Sequence, residues 1–208
     1  MAAIIGNLDP EDDLMHELGP EPNFNESAYY NFFDTKNKTG GWFRLGNRAN
    51  EGNAEMSVCL YLPDGRVLFT FRRAPITHND AFDAGGLRFE VLEPTEHHRT
   101  TFEGTVVELQ EPREMADPRR AFKDNPKKKI SFDLEHRAVG PLYGSKARQS
   151  AEPDPDDENS FAKALFEQHM HVTGSLDIDG EIIDIDGYGL RDHSWGPRYW
   201  QAIHSYEW

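Results

Sequence analysis

The chain has 208 residues, 37 % of them hydrophobic and 12 % aromatic, with a formal net charge of −15. That length and composition support one substantial core, and the acidic surface argues against nucleic-acid and anionic-lipid partners. No apolar run approaches the roughly 20 residues of a membrane span, and the opening MAAIIGNLDPEDDL lacks the basic flank and long apolar stretch of a secretory signal. The single Cys59 permits no internal disulfide and suits a reducing compartment, so a cytoplasmic protein is expected.

Along the chain, alternation of apolar and polar residues with period two recurs, whereas helical periodicity is nearly absent. ESAYYNFFD (26–34) is an aromatic-rich strand, followed by the turn sequence TKNKTGG and the strand GWFRLGNR (41–48). AEMSVCLYLPDGRVLFTFRR (54–73) reads as a hairpin around Pro63-Asp64-Gly65. Strands are also expected over 86–94, 99–112 and 128–138. The basic cluster PRRAFKDNPKKK (118–129) reads as a solvated loop, and 139–160, with GPLYGS and EPDPDDENS, as irregular loop. FAKALFEQ (161–168) suggests a short helix, and 169–189 a strand, an Asp179-Gly180 turn and a second strand. About ten strands with at most one or two short helices predict an all-β, antiparallel meander, closed as a barrel or half-barrel, in one domain.

The most informative stretch is GYGLRDHSWGPR (187–198). Neighbouring side chains of a strand point to opposite faces, so Arg191, His193 and Trp195 share one face while Leu190, Asp192 and Ser194 share the other. Gly187 and Gly189 signal a bulge or a close backbone approach, and Gly196-Pro197 ends the strand. His193 and Trp195 are expected to face an apolar cavity, with Asp192 turned away into a hydrogen-bond network that holds the strand. Tyr188, Arg191 and Arg198 are the candidate ligand-binding residues; the two arginines suit a ligand carboxylate, and equally suit ion pairs.

The D-H-S-W-G segment preceded by G-x-G-x-R resembles the hallmark of the carotenoid 1,2-hydratase and AttH-like group. The likeness is closest to a bacterial branch carrying RDHSWGxR, and it extends in outline over GWFRLGNRANEG, LPDGRVL and VTGSLDIDGEIIDIDGYGLRDHSWG. The resemblance implies a lipocalin-like barrel in a two-lobed protein, with 1–208 as the N-terminal lobe and a second lobe after it. It implies water addition to an isolated alkene: an acid protonates the double bond, an aromatic face stabilises the cation, and water captures it. By that likeness the working pair is His193 and Trp195, with Asp192 supporting them, and a Tyr and an Asp of the group would lie beyond residue 208. The function expected is a hydratase, or a related lyase or isomerase, acting on a hydrophobic isoprenoid-like or aromatic compound without a cofactor. The alternative is a binding lobe with no chemistry of its own.

A metal-dependent site is a further alternative. Glu167, His169 and His171 alternate onto one strand face, and His-x-His can place two imidazoles on one ion, with Glu167 or His193 as third ligand. Adjacent His97 and His98 diverge and are given no role. Cys59 is expected in the core, and Tyr29, Phe33, Phe69 and Phe71 either in the core or lining a ligand cavity. No phosphate loop, nucleophile elbow or dinucleotide fingerprint is present.

Overall fold

The computed structural model describes residues 2–146 and 164–199. Twelve strands are found among them: β1 (Ile4–Gly6), β2 (Glu26–Asp34), β3 (Thr39–Arg48), β4 (Asn53–Tyr61), β5 (Val67–Pro75), β6 (Phe82–Ala84), β7 (Leu87–Glu93), β8 (His97–Leu109), β9 (Lys127–Ala138), β10 (Leu142–Lys146), β11 (Ala164–Ile178) and β12 (Glu181–Trp195). One helix, α1 (Pro118–Asp124), accompanies short 3-10 turns. Neighbours in the sheet run β1-β10-β11-β12-β2-β3-β4-β5-β8-β7-β6. β9 pairs with both β8 and β11, which joins the ends of the path into a ring of eight strands. The expected antiparallel barrel is therefore present; among the described residues the one parallel pairing is β1 with β10, outside the ring.

Alternation decides what lies inside. Phe43, Leu45, Met56, Val58, Leu60, Leu68, Phe132 and Met170 point inward and are buried. The rings of Phe43 and Phe132 meet across the interior with centroids 4.2 Å apart. Eight strands enclose a space that side chains can fill, and here aromatic and aliphatic groups occupy most of it, beside buried polar groups that include His98, His136 and Arg191. Hairpin geometry follows the turn residues: Asp179 (φ 52°) and Gly180 (φ 93°) form the tight β11–β12 turn, and Gly65 (φ 88°) sits in the β4–β5 turn.

Three local expectations are corrected. Residues 164–168 of the expected helix are strand: Ala164, Phe166 and Gln168 point in while Leu165 and Glu167 point out, and pairing with β10 and β12 overrides the helical preference of Ala, Leu and Glu. Residues 161–163 lie outside the described residues. The helix is instead in the basic cluster, where the Asp117 side chain accepts from the Arg120 backbone N–H at 3.2 Å and Ala121 packs on Val107 and Leu109. Part of the expected loop, 142–146, is strand β10.

Candidate functional site

β12 carries the motif, and its pairing on both sides fixes where each side chain points. Gly187 and Gly189 are places of close approach rather than a bulge. The register of β12 with β11 is unbroken, and a Cβ on Gly189 would stand 1.8 Å from the Asn31 carbonyl oxygen, one on Gly187 2.4 Å from that of Phe33. β12 and β2 are thus pressed together just before the motif. The strand ends at Trp195, with Gly196 at φ 111° and Pro197 bridged to Phe24.

Arg191, His193 and Trp195 share the inward face, but the space they enter is polar and filled, not an apolar cavity. Residues 7–25 cross this end of the barrel and insert Asp13 and His16. Arg191 is 1 % exposed; its Nη1 and Nη2 donate to Asp13 Oδ1 and Oδ2 at 2.6 and 3.0 Å. Its Nε and Nη2 also donate to Gln168 Oε1 at 3.0 and 2.7 Å. Asp13 Oδ2 further accepts from the Thr95 backbone N–H at 2.6 Å and lies 3.1 Å from His98 Nε2. Burial opposes ionisation of Asp13, yet the Arg191 charge and the His98 contact hold its carboxyl well below the usual range. Burial and the Arg191 charge push His98 down to about 4, and burial holds His136 well below its ordinary value. Tyr30 OH meets His98 Nδ1 at 2.9 Å. Arg191 is thus committed to internal structure, which leaves no guanidinium edge for a ligand carboxylate.

One step along the same face, His193 Nε2 lies 3.0 Å from Glu26 Oε1, and His16 Nδ1 lies 2.8 Å from the same oxygen. Glu26 is fully buried. Desolvation would raise its pKa, but the hydrogen bonds and charges of His16 and His193 hold it at about 2. The His16 ring stacks on Trp195 at 3.7 Å, and the edges of Phe82 and Phe166 flank His193 at 5.4 and 5.3 Å.

The opposite face is different. A single cross-strand row runs Glu167, Asp192, Tyr29, Arg44, Ser57, Phe71 from β11 to β5. Asp192 lies in this row, half-buried; desolvation, then the charge of Glu167, raises its pKa to about 7 against the pull of Arg44 and Arg198. Its neighbours include the charged groups of Glu167, Arg44 and Arg198 and its register partner Tyr29. Arg198 is buried, donates from Nη1 to the Gly196 carbonyl at 3.3 Å, and is lowered by desolvation to about 10. Beside the row stands an aromatic tract. Tyr29 stacks on Trp42 at 6.1 Å, Trp42 meets Phe69 at 6.2 Å, and Trp42 Nε1 donates to Tyr61 OH at 3.0 Å. Phe33 is 51 % and Phe71 43 % exposed, so these two are not core. Tyr188 is 65 % exposed on the same side, its ring 5.0 Å from that of His171. Cys59 is buried beneath Trp42 and Tyr61, outside the main core, and desolvation pushes its thiol up to about 11.

His171 pairs with Asp186 at 2.6 Å and His169 is exposed. Among the described residues, the group of three with metal-ligating atoms close together is His16, Glu26 and His193 instead. Sequence reasoning missed Asp13, His16, Glu26, Arg44, Gln168 and His98. No spacing links residues 13, 16 and 26 to β12; the one available signal was that buried Arg191 and His193 both require partners.

The sequence matches DUF7064, described as a domain of unknown function, over residues 9–208. The chain belongs to the DUF7064 family. No curated protein matches the sequence. Among solved structures, the chain is similar to the AttH candidate NE1406 of Nitrosomonas europaea, with a TM-score of 0.60 and 15 % identity over 96 % of this chain. It spans 59 % of that protein's length. At this identity the likeness shows the fold alone, an AttH-like, lipocalin-like barrel. CghA, solved alone and with Sch210972, matches at a TM-score of 0.45 with 13–14 % identity over 86 % of this chain and 47 % of its own, too loosely to argue from. No helix among the described residues is long and apolar enough to cross a membrane.

Proposed function

We propose that the outer face of β12, β2 and β3 is one wall of a site for a hydrophobic isoprenoid-like or aromatic small molecule, and that the domain serves a hydratase, lyase or isomerase reaction there. The observation that carries this reading is the placement of Asp192 in one row with Tyr29 and Arg44, beside the stacked rings of Tyr29 and Trp42, while side chains fill the barrel interior. A carboxyl on an aromatic, partly desolvated surface is suited to hold a proton and give it to carbon. In a hydration, the Asp192 carboxyl donates its proton to one alkene carbon. The tertiary cation forms against the faces of Tyr29 and Trp42. Water then bonds to the cationic carbon and returns a proton to the carboxylate. The two-lobed architecture of the group that the motif resembles supports a further lobe as the other side of the wall.

In this reading Tyr188 and Arg198 border the wall, whereas His193 and Trp195 act on the inner side of β12, holding the strand that carries Asp192. A binding lobe without chemistry would use the same wall. Water addition to isoprenoid and aryl alkenes by the protein and by its Asp192→Asn variant separates the two. Turnover that falls at least a hundredfold in the variant, with ligand affinity kept, supports chemistry at Asp192. Ligand binding without turnover in either protein leaves the binding role, and no binding to the wall overturns the proposal.

A further inference from the structure

We propose that His16, Glu26 and His193 form a binding site for one divalent first-row transition-metal cation. The ligand atoms come from three separate parts of the chain: the segment crossing the barrel end, the start of β2 and the motif strand β12. All three lie within 4.8 Å of one another. Two imidazoles and one carboxylate are a donor set for zinc, iron(II), cobalt(II) or manganese(II), and they leave further positions on the ion open. Donors bonded at about 2.1 Å stand roughly 3.0 Å apart at the right angles of an octahedron and roughly 3.4 Å apart in a tetrahedron. Glu26 Oε1 lies at hydrogen-bond separations of 2.8 and 3.0 Å from His16 Nδ1 and His193 Nε2, so a shift of a few tenths of an ångström gives either geometry.

The surroundings fit a held ligand set. The Asn79 side-chain NH2 donates to Glu26 Oε2 at 2.5 Å and to the His16 carbonyl at 3.1 Å, while Asn79 Oδ1 accepts from Asn47 at 3.2 Å. Trp195 fixes the His16 ring from one side, and Phe82 and Phe166 fix His193. His16 Nε2 is buried without a hydrogen-bond partner and lies 3.8 Å from Asp12 Oδ1. With a cation on Nδ1, the ring proton would stand on Nε2, on the side of Asp12, whose carboxylate at 3.8 Å is too far for a direct hydrogen bond and acts through its charge alone. A surface pocket bounded by Leu14, His16, Leu18 and Asn79 gives an approach from solvent. The site lies on the opposite side of β12 from the Asp192 wall, so it stands or falls independently of that reading.

The test is equilibrium dialysis and calorimetry of the chelator-treated protein with Zn²⁺, and absorption spectroscopy with Co²⁺. One Zn²⁺ per chain at micromolar or tighter affinity is expected, with visible cobalt bands. His16→Ala, which changes a partly exposed residue outside the sheet, should weaken Zn²⁺ binding at least a hundredfold with an unaltered circular dichroism spectrum. Glu26→Gln should do the same where it folds. His169→Ala/His171→Ala should leave binding unchanged. No stoichiometric binding, or binding untouched by His16→Ala, would overturn the proposal, as would binding lost in the His169→Ala/His171→Ala variant alone.

Discussion

Asp13 grips Arg191 through both carboxylate oxygens, at 2.6 and 3.0 Å, and so ties the segment that crosses the barrel end to the motif strand 178 residues later. Both partners are almost fully buried. Removing one member of such a pair leaves the other charged in a low-dielectric interior, at a cost of about 3–5 kcal/mol. Asp13→Ala and Arg191→Met should each lower unfolding stability by that order. The Asp13→Leu/Arg191→Met double variant, which removes both charges, should recover much of the loss. Urea unfolding checks this, and single variants within about 0.5 kcal/mol of the parent would contradict it.

The same network makes stability depend on pH. His98 is held near 4, below its free value of 6.5, so the fold favours the neutral ring. Its contribution is complete above about pH 6.5 and is lost as pH falls through 4, because the unfolded chain takes up the proton first; about 3 kcal/mol is at stake. His136 acts in the same sense. Asp13, held low, adds a loss below its ordinary value of 3.8. Asp192 works the other way: with its pKa raised to about 7, its contribution is lost as pH rises from 3.8 through 7. Urea midpoints measured from pH 8 to 4 in the Asp192→Asn background should therefore fall steadily below pH 6.5. A flat profile would mean that His98 is not buried as a neutral ring.

Gly189 should not tolerate a side chain. Its Cβ would penetrate the Asn31 carbonyl, which is backbone and cannot swing aside. Gly189→Ala should separate β12 from β2 at a cost of about 3 kcal/mol. Gly52→Ala is a comparison site with nothing within 4 Å, where only the left-handed φ of 75° opposes the methyl group. Equal thermal shifts for the two variants would count against the close approach.

The barrel was legible wherever one face is buried and the other solvated. In 26–34, 54–73 and 169–195 the alternation gives both the strands and the face of each motif residue, and the joint inward direction of Arg191, His193 and Trp195 follows from period two alone. What those residues meet was not legible. Asp13, His16 and Glu26 reach β12 through tertiary closure, across sequence separations that carry no pattern. The outer aromatics misled in a different way. Phe33 and Phe71 are hydrophobic enough to read as core, and the register places them on the solvent-facing side of β2 and β5, where Phe33 pairs with the exposed ligand-binding candidate Tyr188. FAKALFEQ carries helix-forming residues, and strand pairing on both sides of 164–167 overrides them.

The central claim, that the ligand wall is outside the barrel, is tested most directly by nuclear magnetic resonance mapping of a neutral hydrophobic probe, N-phenyl-1-naphthylamine, titrated into the isotopically labelled protein. Saturable shifts should gather on the Trp42 indole, the Tyr29 and Phe33 rings and the Asp192 and Arg44 backbone. Phe43, Met56 and Phe132 inside the barrel should stay unmoved. Shifts concentrated on those three interior residues, or no saturable shifts on the outer row, would contradict the account.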